Sequence, residues 1–327
     1  MADLRTKYLG LELPSPLVVA SSSLSNRVDG LEAAEGYGAG AVVLRSLFEE
    51  QLEAQQTALD EELSRGQDSN PEARTYFPPQ RIGPHDYLSL IERAKQALGI
   101  PVIASLNCAD PGSWTDYAKA IEQAGADALE INIYAVEADP ELTSEEIEWR
   151  HVTIVESIRA AVRLPVAVKL SPYYTSVANV ASRMAKAGAA GIVLFNRFLQ
   201  PDISLEKLAP QLGMNLSVPS ETLLPLRWIA LLHGRLPVDL AASTGIHDAA
   251  GAAKHLLAGA TVVQLASTLV RNGIPHLGRI RAELEGWMDK RGFSTLEDLR
   301  GTLSQREVAD PSAFERAQYV QLILSQN

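Results

Sequence analysis

Cysteine is almost missing from this sequence: Cys108 is the only one in 327 residues. That excludes an internal disulfide and any multi-cysteine metal or iron–sulfur centre, and it fits a reducing compartment. Long apolar runs are missing too. No stretch approaches the ~18 uninterrupted apolar residues needed to cross a bilayer. The opening MADLRTKYLG has no apolar core of a secretory signal. A cytoplasmic protein without membrane contact is therefore expected. Positive charge is scarce, with 29 Lys and Arg against 40 Asp and Glu, a net charge of −11. Without a basic stripe to neutralise phosphates, nucleic acid is not an expected partner.

Motifs for several chemistries are also lacking. There is no P-loop, and GYGAGA (36–41) precedes an expected strand instead of following one, so it reads as a helix-to-strand turn. His247, Asp248 and His255 lie near one another in sequence, but eight-residue spacing of histidines is not a metal signature. They are expected on a surface helix, and no metal is expected. Cys108 reads as a small packed residue or, less simply, as a nucleophile, with no histidine obviously paired to it. No Pro/Ser/Gly-rich linker divides the chain. Its 46% hydrophobic content is enough for a substantial core. One domain over 1–327 is expected, with a core over about 16–290 and an extension over about 291–327.

What is present is a repeat. GAGAVVLRS (38–46), AGADALEINI (124–133), AGAAGIVLFN (187–196) and AGATVVQLAS (258–267) each end a helix-like stretch at Ala-Gly-Ala before a short apolar run. Glycine there suits the left-handed residue that closes a helix, and the run suits a strand buried on both faces. PLVVASS (16–22), PVIASLN (101–107), PVAVKLS (165–171) and PVDLAAS (237–243) begin at proline, which suits a strand's first residue. The two types alternate strictly. The result is eight strands with helical crossovers, an α/β chain closing into a (β/α)8 TIM barrel in preference to an open doubly wound sheet.

The intervals from Gly40 to Pro101, Gly125 to Pro165 and Gly188 to Pro237 are longer than the others. They predict loop insertions after strands two, four and six, which would roof the barrel mouth. The polar stretch 49–80 reads as a helix followed by a lid, or simply as a solvated helix face. Residues 274–290 and 309–323 read as helices, the second a C-terminal helical extension.

Polar groups gather where the strands end. Strand seven ends at Ser243-Thr244-Gly245, and strand eight at Ala266-Ser267-Thr268. Small residues let backbone N–H groups approach an anion, and loops seven and eight of such barrels often hold phosphate. The same residues also serve as ordinary turns and caps. The phosphate would belong to a flavin mononucleotide or a phosphorylated sugar. Strand five carries Lys169, costly to bury without an anionic partner. It reads as a Schiff-base amine, as a cation beside a charged group, or as a lysine reaching the rim. Arg45-Ser46, Ser105 to Asn107, Glu130 to Asn132, and Asn196-Arg197 end strands two, three, four and six. Together they form a hydrogen-bonding array for a planar polar ligand.

These residues carry a resemblance. From LGLELPSPLVVASSS to GFSTLEDLRG the chain is similar to the class 1 dihydroorotate dehydrogenases, most specifically at AVKLSPY (167–173), STG (243–245) and HLLAGATVVQLASTLVRNG (255–273). The resemblance implies a (β/α)8 barrel floored by an N-terminal hairpin within residues 6–15, and FMN as cofactor. It implies that Ala20 and Ser21 border the flavin and that Lys169 stabilises the reduced ring. It further implies that Asn132 and Asn196 lie beside ring and substrate, with Arg45 where the family has a lysine; Asn107, from the polar array at the end of strand three, is expected among the cofactor contacts. Ser243, Thr244, Gly245, Ala266, Ser267 and Thr268 would cradle the phosphate, with Ser217 added from the sixth loop.

The sequence departs from the family on the substrate side. The strand-four loop, which in the family supplies a Cys or Ser base, reads Asn132-Ile133-Tyr134-Ala135-Val136-Glu137. Alanine accepts no proton, so Tyr134 and Glu137 are the nearest replacements. The substrate asparagines of the loop after strand two are missing from Thr75 to Pro79. The expectation is an FMN-dependent oxidoreductase acting on a CH–CH group of a small molecule other than dihydroorotate, with an unknown electron acceptor. The alternatives are genuine dihydroorotate oxidation in pyrimidine biosynthesis, a non-catalytic flavin-binding partner subunit, and a Schiff-base lyase using Lys169. A homodimer is compatible with the resemblance, since related barrels often dimerise.

Overall fold

A computed structural model describes residues 1–48, 84–108, 114–133, 135–198, 200–211, 213 and 215–315. The stretch 49–80 and the Thr75–Pro79 segment lie outside these residues, as does Tyr134.

Two short strands open the chain, β1 (Thr6–Tyr8) and β2 (Leu11–Leu13), paired antiparallel. The eight runs legible in the sequence are all strands. They are β3 (Leu17–Val19), β4 (Ala41–Val43), β6 (Val102–Cys108), β7 (Ala128–Ile133), β8 (Val166–Leu170), β9 (Gly191–Leu194), β12 (Asp239–Ala242) and β13 (Val262–Leu265). β5 (Leu47–Phe48) adds a short parallel pairing to β6 beyond the end of β4. Each of the eight pairs in parallel with the next, β4 pairs with β6, and β13 returns to β3. The sheet closes on itself, which leaves no free edge.

The Ala-Gly-Ala glycines explain the turns into β7, β9 and β13. Gly125, Gly188 and Gly259 all have positive φ, as a left-handed helix stop requires. The first unit differs. There Gly38 takes the left-handed position, whereas a Cβ on Gly40 would stand 1.8 Å from the carbonyl oxygen of Ser15. That glycine is demanded by close approach of the chain entering β3.

Side-chain alternation sorts the strands into an outer and an inner face. The outer residues join the surrounding helices in one apolar core. The inner floor is a separate cluster in which Val18, Ala41, Val43, Ile103, Ala128, Ala167, Val193, Ala241 and Val262 meet Tyr8, Leu9 and Leu13 of the hairpin. The hairpin therefore plugs the N-terminal end of the barrel. Asp239 secures it by accepting a hydrogen bond from the Leu9 N–H at 2.7 Å.

The insertion after β9 contains a second hairpin, β10 (Asp202–Ser204) with β11 (Ala209–Gln211). The helix His276–Arg291 matches the expected 274–290. Within 309–323 only Ser312–Glu315 is described as helical, and residues 316–327 lie outside the described residues. Among the described residues, no helix is long and apolar enough to cross a membrane.

One expectation is corrected here. His247 and His255 are not on a surface helix face. His255 is 0% exposed in the helix Ala249–Ala258, with Nδ1 2.8 Å from the Gly251 carbonyl and Nε2 3.4 Å from the Thr222 hydroxyl. His247 lies in the turn before that helix, which Asp248 caps by accepting from the Gly251 N–H. The helix is rich in alanine, so its inward face has room for a large ring. Cys108 is fully buried.

Candidate active site

The floor layer ends at Ala128, Ala167 and Val262, and two residues further along each strand the inner face turns polar. Glu130, Lys169 and Gln264 occupy that second layer. Glu130 is 1% exposed and Lys169 8%. The Lys169 ammonium stands 3.7 Å from Glu130 Oε1, and Gln264 Nε2 donates to Glu130 Oε2 at 2.5 Å. The buried cation thus has the anionic partner that its burial demands.

The mouth begins at Ser105, in register with Glu130, and continues to Asn132, two residues beyond Glu130. On one side Ser21, Ser46, Ser105 and Asn132 form a continuous network. The Ser46 N–H donates to Ser21 Oγ at 2.9 Å, and Ser46 Oγ lies 2.8 Å from Ser105 Oγ. Asn132 Nδ2 donates to Ser105 Oγ at 2.8 Å and to Ser46 Oγ at 3.0 Å. Both amide hydrogens are used, so the Oδ1 of Asn132 is the group left to meet a ligand. Tyr87 braces this side through its hydroxyl, which accepts from the Ser105 N–H at 2.7 Å. Asn107 Oδ1, further along β6, is buried without a hydrogen-bond partner among the described residues.

On the other side lies a cavity of about 160 Å³. Ala20, Ser21, Lys169, Asn196, Ser217, Ser243, Thr244, Gly245, Ala266 and Ser267 all line it, and so do Arg197 and Gln264. Ten of the residues expected from the sequence thus meet in one place. Its wall is built from interlocked loops. The Ser217 N–H donates to Ser267 Oγ at 3.1 Å, and the Gly245 N–H donates to Ser217 Oγ at 3.4 Å. Thr244 and Gly245 both have positive φ, 78° and 74°. A Cβ on Gly245 would lie 2.3 Å from the Thr222 backbone nitrogen, so the turn requires glycine. Arg197 reaches across the rim, bound to Glu221 Oε1 at 2.8 Å and to the Asn215 carbonyl.

Four expected residues stand apart from this cavity. Asn132 and Asn107 belong to the opposite side of the mouth. Arg45 is half-buried, with its backbone N–H on the Ser25 carbonyl. Thr268 is fully buried, and its hydroxyl donates to the His247 carbonyl at 3.0 Å. It holds the wall from behind.

Sequence reasoning missed Gln264 and His247, and it left Glu130 without a role. His247 Nε2 lies 3.3 Å from Ser217 Oγ, and its carbonyl also accepts from His276 Nε2 at 3.0 Å. Desolvation, then Arg271, lowers its pKa, so the ring supports Ser217 in neutral form. Period-two alternation carried one more step along each strand would have marked Glu130 and Gln264.

A cavity of about 400 Å³ adjoins the first and shares Phe195, Asn196, Arg197 and Thr244 with it. Pockets for cofactor-sized molecules run to roughly 300–1,000 Å³. The smaller cavity alone takes a phosphate-sized group, and the two together take a larger ligand. A third cavity, of about 740 Å³, lies beyond under the loops after β7 and β8. It is lined by Ala135 and Glu137, by His151 and Tyr174, and by apolar groups including Ile133 and Phe198. Glu137 is engaged there, accepting from Arg150 at 2.6 Å. His151 Nδ1 lies 3.0 Å from the Tyr174 hydroxyl. Desolvation lowers the pKa of His151 to about 4 and raises that of Tyr174, so both are neutral near pH 7.

The donor set fits a phosphorylated, planar ligand. It offers hydroxyls, a lysine and an arginine on the side of the smaller cavity, and amide carbonyls at Asn107 and Asn132 on the other. Among the described residues, no three His, Cys, Asp or Glu side chains converge to hold a metal.

The family model described as dihydroorotate dehydrogenase matches residues 80–288. The catalytic subunit of dihydroorotate dehydrogenase B (NAD(+)) from Thermoplasma acidophilum is 26% identical over 313 residues, covering 92% of this chain and 99% of that protein. A putative dihydroorotate dehydrogenase A (fumarate) from Aeropyrum pernix is 28% identical over 225 residues, 65% of this chain and 70% of its own. The chloroplastic dihydropyrimidine dehydrogenase (NADP(+)) of Arabidopsis thaliana is 24% identical, covering 91% of this chain and 76% of its own.

Proposed function

The chain belongs to the dihydroorotate dehydrogenase family, and on that premise we propose that it is an FMN-dependent oxidoreductase acting on a CH–CH bond of a small molecule other than dihydroorotate. The observation that carries this is Lys169, a buried lysine bordering a cavity whose far wall is Ser243-Thr244-Gly245 and Ala266-Ser267.

FMN, when bound, supplies a two-electron acceptor. The chain's own residues do the rest. Ser217, Ser243, Thr244, Gly245 and Ser267 hold the phosphate, through hydroxyls and backbone N–H groups fixed before the ligand arrives. Ala20 and Ser21 border the ring. Lys169 offsets the negative charge that builds on it, and its burial makes that attraction stronger than in water. Asn132 and Asn196 orient ring and substrate.

The substrate side supports a change of chemistry. Ala135 accepts no proton, and Glu137 is committed to Arg150. Tyr134, the other replacement considered, lies outside the described residues. The cavity beside Ala135 is lined largely by apolar and uncharged groups, which suits a less polar substrate than a carboxylated pyrimidine. The Thermoplasma acidophilum relative is named as a catalytic subunit, which supports an electron acceptor carried by a second chain.

The first test is the visible spectrum of the purified protein, with titration of FMN into stripped protein. A flavin spectrum or saturable binding is expected, and a colourless protein that ignores excess FMN would remove the reading. The second is anaerobic mixing with dihydroorotate. Bleaching at about 1–10³ s⁻¹, the common range for enzymes, would return the substrate to dihydroorotate.

A further inference from the structure

Beneath the proposed flavin site lies a group of buried polar side chains that the function above does not use. Glu130 on β7 is its centre. Gln264 Nε2 donates to one carboxylate oxygen at 2.5 Å. The other oxygen, Oε1, faces Lys169 at 3.7 Å, close enough for attraction and too far for a hydrogen bond. Among the described residues Glu130 Oε1 has no hydrogen-bond partner, and neither do Gln264 Oε1 and Tyr8 Oη. Tyr8 comes from the floor hairpin and is fully buried. Burial, then the charges of Glu130 and Asp239, push its phenol well above the usual value, so it stays a neutral donor.

A carboxylate this deep is costly unless its charge serves another group. The nearest opposite charge is Lys169, which also borders the mouth cavity. The looseness of the pair matters. An ammonium not hydrogen-bonded to its counter-ion keeps its N–H groups for whatever sits above it.

We infer that Glu130 is a positioning residue that balances the charge of Lys169 and so sets how strongly the site prefers reduced over oxidised flavin. This rests on the FMN reading above. With Glu130 in place, the carboxylate offsets part of the lysine's charge. A ring that gains negative charge on reduction then meets a site whose attraction is only partly expressed. Neutralising the carboxylate leaves the lysine charge uncompensated and favours the reduced ring. The direction follows from charge alone, since removing a negative group beneath the ring is expected to strengthen binding of reduced flavin.

The test has two arms. In the first, affinities for oxidised and reduced FMN are measured for wild type, Glu130→Gln and Glu130→Asp. Glu130→Gln should raise the ratio of reduced to oxidised affinity by about tenfold, the scale of one partly screened charge at this depth. Glu130→Asp, which restores the charge, should return most of that change. A purely structural role would weaken both affinities together and leave the ratio fixed, which would overturn the inference.

The second arm needs no flavin. Urea melts of Glu130→Gln, Lys169→Met and the double variant form a cycle. Each single change strands a buried charge and the double change strands none, so the double variant should be less destabilised than the two singles summed. Additive melts would overturn the pairing. If wild type fails to bind FMN, the proposed function falls, and the cycle still decides whether Glu130 and Lys169 act together. If FMN binds and the ratio does not move, only the inference falls.

Discussion

Lys169 is inside the barrel because one lysine among Val166, Ala167, Val168 and Leu170 has no other direction in which to point. Strand alternation sends it inward, and Glu130 offsets its burial. If its charge acts on the flavin, Lys169→Met should keep FMN binding within a few-fold while slowing flavin reduction by about 10²–10³, the scale of losing one preorganised electrostatic group. Rapid-mixing absorbance at the flavin band reads both. A second expectation concerns His255. Its pKa is held at about 4, chiefly by burial, against the ordinary 6.5. The folded protein therefore refuses a proton that the unfolded chain accepts. The stability tied to neutral His255 is intact above about pH 6.5 and is lost as the pH falls from there toward 4. At pH 5 the loss is about 2 kcal/mol. His151, also held at about 4, behaves in the same sense. Urea melts at pH 7 and pH 5 should show the decline, and His255→Gln should flatten it by its share. Residue identity made Lys169 and the small residues lining the smaller cavity legible in the sequence. It did not reveal the burial of His255, because its partner Thr222 comes from a short helical turn 33 positions away.

Elements explain why some sites were legible and others were not. The strands could be read because each proline start and each Ala-Gly-Ala stop is a local signal, and the barrel follows from their alternation. Inward direction follows from period two once a single inward residue is known. What could not be read is where loops touch one another. Ser217 reaches the site only because its N–H meets Ser267 and its hydroxyl meets the Gly245 N–H, contacts between residues 28 or more positions apart. Gly245 is where those loops are tightest. Gly245→Ala would set a methyl group 2.3 Å from the Thr222 nitrogen at a φ of +74°. It should cost about 2 kcal/mol or more of stability and weaken FMN binding at least about tenfold. Equilibrium unfolding and FMN titration measure the two effects, and an unchanged affinity would mean that this wall does not hold the phosphate.

At the scale of the molecule, the floor is apolar, the middle layer is a charged and amide-bearing cluster, and the mouth is hydroxyl-rich. A ligand held by loops from both halves of the barrel should stabilise all of it. FMN at about 100 times its dissociation constant is worth about 2.7 kcal/mol, which for a chain of this size is a rise of about 3–6 °C in Tm. Differential scanning fluorimetry with FMN and with riboflavin separates the phosphate's share, since riboflavin lacks it and should shift the melt much less. The closure of the barrel has a consequence in time. β3, near the start of the chain, finds one of its two neighbours only in β13, whose last residue is Leu265. While the ribosome is still making the middle of the chain, that flank of β3 has nothing to bond to. Until β13 emerges the polypeptide carries an unpaired, wholly apolar edge at β3, and a chaperone that covers it would be of most use before residues 262–265 are translated.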